Sequence, residues 1–387
     1  MAYHRLMNCL GALGSAADIE LQQLFSCPER NPPAVGLEKA NPMEDTPDFF
    51  FDPATCPYRA GVRPYRKKTY RLEPDTVAGK FVVHNYGHGG AGITMSWGCA
   101  EVVRDIVVQH GASGGVAVLG AGVMGLTAAT LLAEVRPRIA VTVYADKFTP
   151  HTTSDVAGGQ WSPSMVEYKK NDSSAKRAYF DVLLKARKAH ELRGAAFGVS
   201  KRPNYTTLQI DHLDELPTTI VPKVTEVPRL PFKNLNGPGF KYDLLMVEPP
   251  ILMSKLQSDL DAAGIVFIKR KFQNATELTA LKESIIVNCT GLGAGKLFND
   301  EEMMVPIKGQ LVLLKAQPNL KYLFSGKGYV FPRTDAVIVG GSKEPGVDND
   351  KPDPVKCKDM VTLMKGAFDG APSLADDALP DWLILGK

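Results

Sequence analysis

VAVLGAGVMGLTAATLLAEV, residues 116–135, reads as a buried strand, a glycine turn and a helix. Four apolar residues lead into Gly120-Ala121-Gly122-Val123-Met124-Gly125, a GxGxxG spacing. Glycines there permit a tight turn and let backbone approach a pyrophosphate, with a helix N-terminus facing the negative charge. The next apolar run, IAVTVYAD (139–146), is a second strand ending at Asp146. An acidic residue about 20 positions beyond the last glycine suits ribose hydroxyls. Together these features predict a dinucleotide-binding α/β fold, without separating FAD from NAD.

Other segments carry chemistry at either side of this unit. VVHNYGHGGAGITMSWGCA (82–100) follows a strand-like run and holds five glycines. Such a loop presses backbone N–H and C=O groups against a flat or anionic ligand. It reads as too glycine-rich for a helix, so the i, i+4 pair His84 and His88 is not expected to bind metal. A helix is expected only from SWGCAEVVRDIVVQHG (96–111), with Val102, Val103, Ile106 and Val107 as its apolar stripe. TPHTTSDVAGGQWSP (149–163) offers hydroxyls at Thr152, Thr153 and Ser154 and bare backbone at Gly158 and Gly159. Arg63 in AGVRP (60–64) is either an anion receptor or a structural ion pair, and Tyr329 in GYVFP (328–332) opens a buried strand.

Composition bounds the rest. With 45 Lys plus Arg against 42 Asp plus Glu in 387 residues, the net charge of +3 argues against a nucleic-acid partner. No apolar run reaches the roughly 20 residues of a membrane span. The six cysteines form no CxxC pair, which argues against a disulfide scaffold or zinc site. A short helix near Asp18–Phe25, a Pro-containing arm, helices over 176–193, after Pro250 and over 354–370, and a mostly β region over 205–245 complete the expectation.

Taken together, these segments resemble the D-amino-acid oxidase family, which includes the D-aspartate oxidases. HNYGHGGAGITMSWGCA (84–100) carries the resemblance most specifically. ADKFTPHTTSDVAGGQW (145–161), IIVNCTGLGAG (285–295), IKGQLVLLKA (307–316), AVIVGGS (336–342) and GVRPYRKKTYRLE (61–73) extend it from about residue 60 to the end. The order differs. In the family the GxGxxG strand opens the chain and the GVRP and HNYGHGG segments close it; here both come first. A circular permutation bridged by GASGG (111–115) is the expectation; a tandem gene array read across a boundary, or exchange of segments between chains, gives the same order.

The resemblance implies a Rossmann-like FAD-binding domain, mainly 60–175 and 255–310, and a mixed-sheet substrate domain, mainly 176–254 and 311–387, after an extension at 1–59. It implies FAD at Gly120, Gly122 and Gly125 (pyrophosphate), Asp146 and Lys147 (adenosine side), and Thr152, Thr153, Ser154, Gly158, Gly159 and Gln160 (flavin and ribityl chain). Gly89, Gly92, Ile93 and Thr94 would touch the flavin ring. Arg63 would bind the substrate α-carboxylate, Tyr329 would assist it, and the Gly90 carbonyl would accept from the amine. Lys343 falls where D-aspartate oxidases hold a second carboxylate, whereas LFSGKG (323–328) lacks the lid tyrosine of D-amino-acid oxidases. The implied reaction is oxidation of a D-amino acid by oxygen to a 2-oxo acid, ammonia and hydrogen peroxide, without a protein acid or base. Neutral substrates come first and acidic ones next; an NAD-dependent dehydrogenase and a non-catalytic flavin-binding permutant are the competing readings. A cytoplasmic or peroxisomal location and a homodimer stay open.

Overall fold

The computed structural model describes residues 43–383 except 112, 209–212, 214 and 372–379. The helix expected near Asp18–Phe25 lies outside the described residues.

Strand β4 (Val116–Leu119) is buried at every position. It runs parallel between β10 (Ile285–Asn288) and β5 (Val141–Ala145). Parallel strands β3 (Lys80–Tyr86) and β9 (Val266–Lys269) flank this trio, and β2 (Arg71–Val77) closes one edge antiparallel to β3. Continuous apolar runs form such strands because both sheet faces are covered. Val116 and Val118 face the core beneath the helices, whereas Ala117 and Leu119 face Phe272, Leu278 and Leu281 on the other side.

Helix α1 (Gly92–His110) packs on α2 (Val123–Ala133) and α3 (Ser173–Arg193), and α2 packs on α4 (Pro249–Ala262). α1 starts four residues before the expected Ser96, inside the stretch read as too glycine-rich for a helix. Burial overrides propensity there: Met95, Trp97, Cys99 and Ala100 are all fully buried. Gly98 serves contact rather than turning, since a Cβ on it would stand 2.0 Å from the Val182 carbonyl oxygen of α3. A short helix α5 (Gly293–Leu297) follows β10.

The second sheet is mostly antiparallel. Its order is β1 (Tyr58–Arg66), β11 (Met304–Leu314), β14 (Val337–Gly340), β13 (Tyr329–Pro332), β12 (Leu323–Ser325), β6 (Val199–Thr206), β8 (Gly239–Val247) and β7 (Thr225–Val227), with β15 (Glu344–Pro345) on β11. Alternation splits its residues between faces. Val312, Val330 and Val339 pack on α6 (Pro354–Phe368), a helix started by Asp353, which accepts from the Val355 and Lys356 N–H groups, and by Pro354 at its first position. Leu311, Phe331 and Ile338 line the opposite face. The region 205–245 is less regular than expected: among the described residues between β6 and β8 only the three-residue β7 pairs, since Pro217, Pro222, Pro228, Pro231 and Pro238 withhold ladder donors.

Arg66 and Tyr86 tie the two sheets together. Arg66 Nε donates to Asp300 at 2.7 Å and the Tyr86 hydroxyl donates to the same carboxylate at 2.7 Å. The Asp300 carboxyl is held below its ordinary range, against the opposing effect of burial, by these bonds.

Gly98→Ala is expected to lower stability by about 1–3 kcal/mol in urea unfolding, although alanine favours an isolated helix by nearly 1 kcal/mol. A stabilised variant would contradict the close α1–α3 contact.

Candidate active site

One cavity of about 1550 Å³ lies between the two sheets. It exceeds the roughly 300–1,000 Å³ of drug-sized pockets. The loops leaving the C-terminal ends of β3, β4, β5 and β10 form one wall, where ligands bind in open α/β sheets. The face of the second sheet that carries Arg63, Ile307, Leu311 and Tyr329 forms the other.

The glycine turn fits the expected geometry. Gly120 has φ +103°, and a Cβ there would stand 2.3 Å from the Cys289 carbonyl oxygen. Gly122 precedes α2, and Ser154 Oγ accepts the Val123 N–H at 2.9 Å, so a residue expected at the cofactor also holds this helix N-terminus. Gly125 is placed differently from the expected pyrophosphate contact. It does not line the cavity; its Cβ would meet the Gly120 carbonyl oxygen at 1.9 Å, so its bareness lets α2 pack against the turn.

Asp146 lines the cavity and faces Lys271, whose Nζ is 3.9 Å away. Lys147 donates to Asp350 at 3.1 Å, a link between the loop after β5 and the segment after β15. Thr152 forms a capping box with Asp155: its N–H and hydroxyl donate to Oδ2 at 2.8 and 2.7 Å. Thr153 donates to the Val62 carbonyl at 3.3 Å and so ties this turn to β1. Both threonines line the cavity with Gly158, Gly159 and Gln160. Gln160 Nε2 donates to Asn204 Oδ1 at 2.8 Å, and Asn204 donates to Ser325 Oγ at 3.1 Å.

The loop after β3 is fixed by its glycines. Gly89 has φ +54°, and a Cβ there would overlap the Met165 carbonyl oxygen at 1.8 Å. Gly90, Gly92, Ile93 and Thr94 line the cavity, and the Thr94 hydroxyl donates to the Ser162 carbonyl at 2.9 Å. Among the described residues no side chain caps the α1 N-terminus at Ala91, and no acid lies in its first turn, so a positive helix end faces the cavity. His84 sits between Asp75 at 3.3 Å and Asn288 at 3.1 Å, and His88 Nε2 lies 3.4 Å from Cys99 Sγ.

Arg63 and Tyr329 lie together on the sheet wall. Arg63 Nη1 donates to the Ser342 carbonyl at 3.2 Å. Among the described residues no carboxylate pairs with Arg63, although burial pushes its guanidinium pKa down. Burial raises the Tyr329 phenol, which opposes ionisation, and the Arg63 and Arg333 charges oppose that rise. Lys343, next to the carbonyl that holds Arg63, lines the same cavity.

Asn85, Cys289, Thr290, Arg270 and Phe272 also line the cavity and were not singled out in the sequence. Cys289 and Thr290 lie within the quoted IIVNCTGLGAG, but strand order alone reveals that β10 stands between β3 and β4.

A parallel sheet with a glycine turn, facing a second sheet across a dinucleotide-sized cavity, defines a nucleotide-cofactor enzyme. The family described as FAD dependent oxidoreductase (DAO) matches residues 115–383. The chain belongs to this family, and its cofactor is FAD. It is 29% identical over 256 residues to D-aspartate oxidase from Homo sapiens, covering 64% of this chain and 74% of that protein. It is 26% identical over 272 residues to D-amino acid oxidase from Dugesia ryukyuensis, covering 66% and 78%. Glycine oxidase from Geobacillus kaustophilus aligns with TM-score 0.49 and 17% identity over 68% of this chain and 84% of that structure. The residues present fit FAD: the Gly120 cradle, the α2 N-terminus and the uncapped α1 N-terminus all open into one cavity.

Three buried histidines, His84 among them, contribute to the acid response. Burial lowers His88 from 6.5 to about 3 and His190 from 6.5 to about 4. Below pH 6.5 the unfolded chain takes up protons that the folded state refuses, so stability falls as pH falls. Each should contribute a loss of about 2 kcal/mol between pH 6.5 and 5. Urea unfolding at both pH values checks this, and a flat profile would contradict neutral burial.

Proposed function

We propose that this protein catalyses the oxidative deamination of D-amino acids, in which oxygen takes the two electrons and water hydrolyses the imino acid, yielding 2-oxo acids, ammonia and hydrogen peroxide. The observation that carries the reading is an arginine without a carboxylate partner among the described residues, set beside the half-buried Tyr329 in the cavity that fits FAD. The names of the two oxidase relatives support it. A neutral D-amino acid is the first substrate class and an acidic one the alternative, for which Lys343 would supply a second cation.

Arg63 would grip the α-carboxylate through two parallel N–H bonds. The Tyr329 hydroxyl, kept protonated by burial, would donate to the same carboxylate. The Gly90 carbonyl would accept from the neutral amine. These three contacts would orient the Cα–H of the D-enantiomer toward the ring face, whereas the L-enantiomer would present its side chain. FAD supplies a two-electron acceptor that oxygen regenerates. Orientation then accounts for much of the rate, and no protein acid or base is needed.

For the cofactor, Gly120, Gly122 and the α2 N-terminus would face the pyrophosphate, and Asp146 and Lys147 the adenosine side. Thr152, Thr153, Ser154, Gly158, Gly159 and Gln160 would run along the ribityl chain and flavin. Gly89, Gly92, Ile93 and Thr94 would meet the N1–C2 edge, where the uncapped α1 N-terminus favours the negative charge of the reduced ring. The segments 60–175 and 255–310 would mainly hold cofactor, and 176–254 and 311–387 mainly substrate.

We also propose that the chain is a circular permutation of the family order. The unbroken family match begins at residue 115, while β1 and β3, which precede it, are neighbours of β11 and β10.

The purified protein should be yellow, and D-alanine or D-aspartate should bleach it under anaerobic conditions. Arg63→Ala should keep the flavin spectrum and lose roughly 100-fold or more in kcat/KM. Bleaching by no D-amino acid, or an unchanged Arg63→Ala variant, would reject the reading.

A further inference from the structure

Two glycines of the sheet wall have no conformational reason to be glycine. Gly309 lies inside β11 and Gly340 is the last residue of β14, and both are absent from the positive-φ residues. A strand-interior glycine weakens pairing and marks a close approach. What approaches is the same pair of side chains just described. A Cβ on Gly309 would stand 2.3, 2.4 and 2.5 Å from Nη2, Nη1 and Cζ of Arg63. A Cβ on Gly340 would stand 2.3, 2.4 and 2.5 Å from Cζ, the hydroxyl oxygen and Cε2 of Tyr329. The guanidinium and the phenol therefore each rest on bare backbone.

Register explains the arrangement. Arg63 pairs with Ile307, and Gly309 lies two residues further along β11 on that face. Leu311, two residues on again, pairs with Gly340, which also pairs with Tyr329 across β13. The two bare positions thus make a shallow bed across adjacent strands. Gly61, opposite Gly309, has a different neighbour: its Cβ would meet Val156 Cβ at 3.2 Å, a packing contact with the turn after β5.

Resting on the assignment of Arg63 and Tyr329 to the substrate carboxylate, we propose that Gly309 and Gly340 are positioning residues that set the height and tilt of these two groups above the sheet. The two sites differ in what yields. Arg63 is long and its end can swing off Gly309. The Tyr329 ring is stacked on Phe331 with centroids 4.3 Å apart, and a Cβ on Gly158 would lie 3.3 Å from its hydroxyl. Gly309→Ala therefore displaces the guanidinium with little effect on the fold, whereas Gly340→Ala disturbs the wall as well.

The test uses FAD-loaded protein and four forms: parent, Gly309→Ala, Arg63→Ala and the double variant. Anaerobic bleaching by D-alanine and D-aspartate gives half-saturating concentrations and limiting rates, and thermal melting reports the fold. Gly309→Ala should raise the half-saturating concentration roughly 10- to 100-fold, more than it lowers the limiting rate, with the flavin spectrum unchanged. On the Arg63→Ala background the same substitution should change binding less than twofold, since nothing is left to displace. If Gly309→Ala fails to fold, the double variant should recover folding because the clashing side chain is gone. Half-saturation within twofold of the parent in Gly309→Ala, additive effects in the double variant, or no recovery of folding would each overturn the proposal while leaving the proposed function intact. An Arg63→Ala variant that binds substrate normally would instead remove the proposed function and this inference together.

Discussion

The pairing of β1 with β11 is the constraint on which the rest of the structure depends. Nine residue pairs, from Tyr58 with Val312 to Arg66 with Met304, join an early segment to a late one. The pairing sets Arg63 on the sheet face that carries Ile307 and Gly309, and strand alternation turns the Val62 side chain, one residue away, to the other. A slip of one residue would exchange them and turn the guanidinium away from the cavity. The Arg66–Asp300–Tyr86 contact reinforces the arrangement where β1, β3 and the lead into β11 meet. Removing one partner of such a half-buried network costs more than an exposed ion pair would, because the others lose compensation for their burial.

The two walls divide the physical work. The parallel sheet supplies oriented backbone: a left-handed Gly120, two helix N-termini and the glycines after β3. The antiparallel sheet supplies side chains with defined heights over a flat surface. His84 at the end of β3 and His88 in the loop after it are buried and lowered to about 4 and about 3. Their neutral rings are used in local bonding to Asn288 and Cys99. In the proposed reaction, orientation rather than proton transfer by the protein would be the resource this cavity offers.

Much of this was legible in the sequence because it rests on local rules. The strand, turn and helix at 116–135 need only hydrophobic periodicity and glycine spacing, and the Asp353-Pro354 start of α6 needs only capping chemistry. Less was legible where a distant contact decides. Gly98 lies inside the expected helix, but the reason for its bareness is hidden until Val182 is seen beside it. Gly125 looks like a phosphate contact, yet packing beneath Gly120 explains it better. Cys289 and Thr290 reach the cavity only because β10 inserts between β3 and β4, which no periodicity reports. The bed under Arg63 and Tyr329 was hidden for the same reason, since it belongs to the register of three strands rather than to any motif.

The Lys147–Asp350 contact has a kinetic meaning. It bridges the loop after β5 and the segment after β15, and both side chains are more than half exposed, at 55% and 61%. Exposed pairs of this kind contribute about 0–1 kcal/mol and weaken with salt. A clasp that weak is comparable to thermal energy, so it can open many times without melting either sheet. Exchange of a large ligand at that end would then be governed by ionic strength and loop motion, while tightness of holding would come from the deeper backbone surfaces.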